Sequence, residues 1–306
     1  MKPAVDASRR VQFVDWTTQC WVRATGRSIT WCEFPWLEGP VGDVEVIGTD
    51  FFRRYAVRRG WSLVATGEPR GLLESLALLE GPTCQPLKID SRIAGFYERT
   101  SDYAFDVWSE WSNIFKPLGG MLGSLFSQRL QQLNVPLSPL DTKLGITSEV
   151  LKIVDADGRR HSAAWVRETV ATGRALYVGS YSVCRVPGFD GPCIKVAFPL
   201  PNGYALVVMK PESHADGSLT VSSEGKRFGD PGFYFFVETA PGRGRARYVP
   251  SLKESIHVFA DPTGELRADH DLQLWGRRFL RLHYRMRIGA RDNMALQQTA
   301  GQAGRS

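Results

Sequence analysis

The sequence predicts an α+β protein: an antiparallel meander sheet, or one closing into a barrel-like curved sheet, with a packed helix and an N-terminal helical region. Three observations carry this reading. From Ile146 to Arg287, strand-length runs alternate with turn signals at short spacing. The stretch between Pro117 and Pro136 keeps the i, i+3, i+4 spacing of an amphipathic helix. Residues 50–98 carry shorter apolar stripes behind capping residues. The chain has 306 residues, of which 43% are hydrophobic and 23% charged, so a sizeable core is easily buried.

Taken in order, residues 1–45 are rich in tryptophan (Trp16, Trp21, Trp31, Trp36) but sustain neither period 2 nor period 3.6, and read as an irregular N-terminal extension. A single domain is expected over 46–287, with a helical part at 46–135 and a β-meander at 146–287. Asp50 suits an N-cap, Phe51, Phe52, Tyr55 and Val57 form an apolar stripe, and Gly60 ends the helix. A short helix is expected over Leu72–Leu79, ahead of Gly81-Pro82. Asp90 begins a third, with Ile93, Phe96 and Tyr97 inward. Tyr103, Phe105 and Val107 then alternate with Ala104, Asp106 and Trp108, the pattern of a strand. The longest helix is predicted over Pro117–Asn134, through Leu118, Met121, Leu122, Leu125, Phe126, Leu130 and Leu133. Gly119, Gly123 and Ser127, four apart, permit close packing on a sheet; lying on a membrane surface is the alternative.

The turn signals of the β-rich half are Asp157-Gly158, Thr172-Gly173, Asn202-Gly203, Asp216-Gly217, Asp230-Pro231-Gly232 and Pro262-Thr263-Gly264. Asn-Gly and Asp-Gly favour hairpins because both central residues need positive φ, and we count about ten strands between such turns. Asp155–Gly158 lacks the later ligands of a calcium loop and reads as a turn. Residues 288–306 offer no core and read as a disordered tail.

Composition narrows the function classes. The longest apolar runs, such as Ala205–Met209 and Phe233–Val237, are strand-sized, far short of the roughly 20 residues that span a bilayer. The start, MKPAVDASRR, has no apolar signal region, so a cytoplasmic location is expected. Net charge is +6, with arginines concentrated at Arg53–Arg59, Arg243–Arg247 and Arg277–Arg287. A basic face attracts anionic lipid or nucleic acid, yet no specific nucleic-acid motif is present and acidic residues are interleaved. The segment "PGRGRARY" reads as a basic loop joining strands. Five cysteines without a CxxC pair fit reduced thiols. Cys184 and Cys193 flank the hairpin segment RVPGFDGP, and whether they pair stays open. No metal site or cofactor is expected, since Walker A, G-x-G-x-x-G and G-x-S-x-G patterns are missing.

The segments "FYERTSDYAFDVWSEW", "FSQRLQQLNVPLSPLDT", "GPCIKVAFPLPNG" and "LRADHDLQLWGRRFLRLHYRM" resemble parts of uncharacterised bacterial proteins with a β-rich C-terminal half, over roughly residues 45–287. That group has no assigned activity, so the resemblance implies a β-rich fold and carries no site residue with it.

The most informative polar residue is His270, in "GELRADHDLQLWG". Residues two apart in a strand share a face. His270 therefore lies with Leu266, Ala268, Leu272 and Leu274, while Arg267, Asp269, Asp271, Gln273 and Trp275 lie on the other side. The flanking aspartates cannot be its immediate partners. Three readings follow: a buried histidine bonded to a neighbour, a polar group in a ligand cavity, or a general acid–base. His283 is expected on the wet face. Glu98, Arg99, Asp102 and Asp106 read as capping and surface ion-pair residues. The function expected first is non-catalytic binding of a small, largely apolar ligand in a barrel-like cavity, through His270, with Tyr181 and Tyr204 as further contacts. The alternatives are an enzyme using His270 as acid/base, and a membrane-surface or protein-interaction module acting through a basic face, with peripheral membrane contact as the partner.

Overall fold

The computed structural model describes residues 16–42, 47–64, 70–112, 146–169 and 175–289. Strands β4 (Ile146–Val154), β5 (Arg160–Thr169), β6 (Ala175–Val186), β7 (Phe189–Leu200) and β8 (Gly203–Ser213) form an antiparallel meander. β8 then forks. Its first half pairs with β10 (Gly232–Ala240) and its second with β9 (Leu219–Ser222). β10 leads to β11 (Arg243–Val249), which pairs with β1 (Arg27–Thr30). β9 leads to β12 (Leu252–Ala260), β13 (Leu266–Leu274) and β14 (Arg277–Ile288). The path ends on β3 (Tyr103–Trp111), far in sequence from its neighbour β14, and begins at β2 (Ser62–Val64) beside β4.

The sheet is strongly curved. Phe105 of β3, at one end of the path, meets Trp165 of β5, near the other, at a ring separation of 5.3 Å. No ladder joins β3 to β2 or β4 among the described residues, so the curl is closed by side chains and the sheet stays open. The inner face gathers the largest apolar cluster, including Val150, Trp165, Phe198, Val207, Val258 and Met286. Helix α3 (Ser91–Glu98) packs Phe96 and Tyr97 against it. Parts of the outer face are also covered. Helix α2 (Phe51–Arg59) lays Phe51, Phe52 and Tyr55 on Leu151, Ile153 and Val166. Ile29, Trp36 and Leu37 cover Leu206, Tyr234 and Phe236.

Several local expectations change. Residues 16–25, read as irregular, are helical (α1), and β1 follows them. The helix expected over Leu72–Leu79 is a 3-10 turn confined to Leu76–Leu79, capped by Ser75. Val57 is 79% exposed and Ala56 takes its place in the α2 stripe. Asp90 caps α3 through the Arg92 amide as expected, whereas the Asp50 side chain makes no cap bond and pairs with Arg54 instead. "PGRGRARY" is not merely a loop, because Arg243–Val249 is β11 itself. The predicted helix Pro117–Asn134 and all but the start of the expected tail lie outside the described residues. Cys184 and Cys193 stand directly opposite each other across β6 and β7, and both thiols are free.

The Asn202-Gly203 signal also resolves differently. Leu200 pairs with Gly203, so the turn residues are Pro201 and Asn202, with Asn202 at φ 58°. Proline followed by a residue at positive φ is the type II arrangement. Gly203 is needed for another reason: a Cβ there would sit 2.0 Å from the Phe236 carbonyl oxygen. It is where β8 receives β7 and β10 together.

Tyr204 follows at once, and its placement corrects the sequence reading. It is 0% exposed, but on the outer side, stacked on Phe236 at 4.7 Å. Its hydroxyl accepts from Trp31 Nε1 at 3.1 Å and donates to the Leu37 carbonyl. Tyr204→Phe is expected to cost about 1–3 kcal/mol in urea unfolding, because it strands a buried donor and acceptor, and to leave any ligand affinity of the inner face unchanged.

Candidate functional site

The curl shapes a partly open cavity of about 130 Å³ on the inner face, lined by β3, β5–β9 and β12–β14 together with Leu72, Phe96 and Tyr97. Its wall is mostly aliphatic and aromatic. Six polar side chains interrupt it: Arg167, Tyr177, Tyr181, Glu254, His270 and Tyr284. Period-2 alternation puts each of them there. Within β13, Leu266, Ala268, His270, Leu272 and Leu274 are buried and the residues between them are only partly so.

His270 points inward as expected, and its partner comes from the next strand. Its Nε2 lies 3.2 Å from Glu254 Oε2, and both side chains are 8% exposed. Ile256 is paired with His270 in the ladder, so Glu254, two residues before it, is the diagonal neighbour on the same face. The imidazole stacks on Tyr284 at 6.4 Å. The Glu254 amide donates to Ser223 Oγ at 2.8 Å, which fixes the backbone below the carboxylate. The flanking aspartates are engaged on the outer face. Asp269 accepts from His283 Nδ1 at 2.7 Å, and Asp271 receives two bonds of 2.6 Å from Arg281. Trp275 is not on a strand face; it occupies the β13–β14 turn at φ 50° and is 76% exposed.

The opposite wall is built around a glycine. Tyr177 and Tyr181 lie on one face of β6 with Gly179 between them, and Gly179 pairs with Trp165. The missing side chain lets the Trp165 ring settle 5.1 Å from Tyr177 and 6.0 Å from Tyr181. The two phenols bond to each other at 2.8 Å. Trp165 Nε1 donates to Ser148 Oγ, also at 2.8 Å. Burial pushes the Tyr177 and Tyr181 hydroxyls far above the ordinary phenol value, and that of Tyr284 to about 12 despite the nearby Arg167 charge. All three are neutral near pH 7.

Arg167 stands two residues beyond Trp165, on the same face. It is 8% exposed, with its guanidinium carbon 5.0 Å from the Phe105 ring centre and 5.4 Å from that of Trp165. Its Nε has no hydrogen-bond partner, and it joins no ion pair among the described residues. Burial pulls its pKa down from the usual guanidinium value, although not to a range where it would lose its proton near neutrality.

The basic stretch of β14 is arranged differently. Arg281 pairs with Asp271, Arg285 with Glu265 and Arg287 with Asp106 along the outer face. Most of its charge is thus met within the sheet. Glu98 accepts from the Leu76 amide at 2.7 Å, a local capping role. Among the described residues no three His, Cys, Asp or Glu side chains gather as metal ligands, and no helix is long and apolar enough to cross a membrane.

Of the residues singled out from sequence, His270 and Tyr181 line the cavity and Tyr204 does not. Arg167 and Glu254 were missed, although each sits in register with apolar neighbours: Ala163 and Trp165 for one, Leu252, Ile256 and Val258 for the other.

Comparison with known proteins adds little chemistry. The chain is 29% identical over 221 residues to the uncharacterized membrane protein YndJ of Bacillus subtilis (strain 168). The match covers 70% of this chain but only 37% of that protein. No family model and no solved structure matches.

Two stability results are expected. His270→Leu should cost about 2–4 kcal/mol in chemical denaturation, since it leaves the Glu254 carboxylate buried without its partner, and adding Glu254→Leu should recover much of that loss. Arg167→Met should leave the ligand-free protein as stable as the wild type or about 1 kcal/mol more stable, because a desolvated charge without a counterion is replaced by an apolar chain of similar length.

Proposed function

We propose that this chain is a binding unit that holds a small, largely apolar molecule inside the curved sheet. The observation that carries the reading is the inner-face cavity, with a mostly apolar wall and polar groups drawn from β5, β6, β12, β13 and β14. Such a site rewards shape and apolar area first and a few hydrogen bonds second. At about 130 Å³ the space suits a ring-sized molecule; an engineered apolar cavity of about 150 Å³ holds benzene. His270, Glu254 and Tyr181 are the polar contacts of this reading.

One observation favours a second reading, an enzyme with His270 as acid/base: Glu254 touches the imidazole, as a carboxylate that orients a catalytic histidine does. Among the described lining residues no serine, threonine or cysteine stands beside the pair, so binding without chemistry is the first reading.

The relative's name places that protein in a membrane, while the matched stretch is a minor part of it. We therefore read the present chain as a water-facing, strand-rich unit, exposed to the cytoplasm, in line with its free thiols. Labelling of Cys20 and Cys32 in intact cells by a membrane-impermeant maleimide would overturn that placement.

Native mass spectrometry of gently extracted protein should show a retained small molecule. Benzyl alcohol, a ring with one hydrogen-bonding group, should raise the melting temperature of the emptied protein. Ala268→Leu places extra carbons in the cavity wall and should weaken benzyl alcohol binding by about tenfold or more, equivalent to about 1.4 kcal/mol, while keeping the fold. Binding that is indifferent to Ala268→Leu would locate the ligand elsewhere.

A further inference from the structure

Arg167 is the feature that the reading above leaves unused. A cation taken out of water is costly unless an anion or several acceptors receive it. Here the guanidinium lies against two aromatic rings, which repay part of that cost. Its Nε has no acceptor, and no carboxylate among the described residues pairs with it. The groups coupled to its charge are the phenols of Tyr284, Tyr177 and Tyr181. All three stay protonated near neutral pH, so none supplies a countercharge.

A second donor lies on the same wall. Two hydroxyls that share one hydrogen bond have a second proton to give. The Tyr177–Tyr181 pair shares one bond of 2.8 Å, and the remaining O–H has no acceptor among the described residues. Among the described lining residues the one carboxylate is Glu254, which is engaged with His270 on β12 and β13, whereas Arg167 stands on β5.

We propose that the occupant of this cavity is a small apolar carboxylate, bound as a monoanion with its carboxylate on Arg167 and a β6 tyrosine hydroxyl and its apolar body against the rest of the wall. The proposal rests on the cavity being a ligand site and adds the chemical class. The guanidinium fork matches a carboxylate in two parallel bonds. A phosphate dianion is a poorer fit, since Arg167 is the only Arg or Lys among the described lining residues. Glu254 sets the orientation, because it repels the anionic end from the opposite wall and accepts a hydrogen bond from a donor at the ligand's far end.

The test compares two probes of nearly equal shape, phenylacetate and the neutral phenylacetamide, titrated at pH 7.5 into the full chain by calorimetry and ligand-observed NMR. The wild type should bind phenylacetate at least tenfold more tightly. Arg167→Met should lose that preference while still binding phenylacetamide. Equal affinities in the wild type, or a preference for the amide, overturn the carboxylate assignment and leave the cavity reading standing. Failure of both probes to bind overturns the cavity reading as well. A preference that survives in Arg167→Met overturns Arg167 as the anchor. The wild-type comparison needs no variant, and Arg167→Gln provides a second substitution if the methionine variant does not fold.

Discussion

The contact between Phe105 and Trp165 decides what one face of this sheet becomes. A twisted antiparallel sheet of many strands must curl or split. Here it does both, since β8 forks and the far end of the path returns to β5. With the rings of β3 and β5 in contact, most side chains of the inner face are buried. Every polar group on it then needs a partner from within. Trp165 finds Ser148, Tyr177 finds Tyr181 and Glu254 finds His270. Among the described residues Arg167 meets the π faces of the two rings that close the curl, and its Nε has no acceptor. Burial keeps the tyrosines neutral, so the cation of Arg167 is not met by a phenolate.

Two glycines make this geometry possible, and for opposite reasons. Gly179 leaves a gap that a neighbour fills: Trp165 lies opposite it, and the flanking phenols meet beside it. A Cβ there would press on Phe198 and Tyr177 at 3.0 Å. Gly203 leaves room for backbone, at the point where three strands converge. Glycine weakens a strand by itself, and in both places that weakness is offset by a contact no other residue would allow.

How much of this the sequence disclosed depends on which strands have two distinguishable faces. In β13 every second residue is polar, so the inward side was readable and His270 fell on it. Glu254 and Arg167 obey the same alternation, but each stands beside other charged or polar residues, as in "LKESIHVFA" and "WVRET", and so reads as solvated. Tyr204 was assigned to the wrong side for a physical reason. β8 is buried on both faces, with Tyr204, Leu206 and Val208 outward and Ala205, Val207 and Met209 inward. A strand that is apolar on both sides carries no signal of which side is the cavity. The pairings of β3 with β14 and of β9 with β12 were likewise invisible, because local patterns fix a strand and not its distant neighbour. Local turn chemistry did better on existence than on register, as Pro201-Asn202 shows.

The distribution of charge partners across the two faces is the reverse of what folding stability alone would favour. On the outer side, where water would hydrate a free guanidinium at little cost, Arg281, Arg285 and Arg287 each have a carboxylate. Exposed pairs of this kind contribute little. On the inner side, where a lone charge is most costly, Arg167 has no carboxylate partner among the described residues. An apolar residue of similar length would fill the same space without the desolvation penalty, and Phe105 and Trp165 would pack on it equally well. The cation is therefore a poor choice for the empty protein. Under the proposal it becomes a good one, because an anionic ligand and the guanidinium would relieve each other's desolvation in one contact. The Glu254–His270 pair, by contrast, is already joined by its own hydrogen bond of 3.2 Å. On the proposed reading, charge left unmet inside and met outside is the arrangement of a site completed by an anionic ligand.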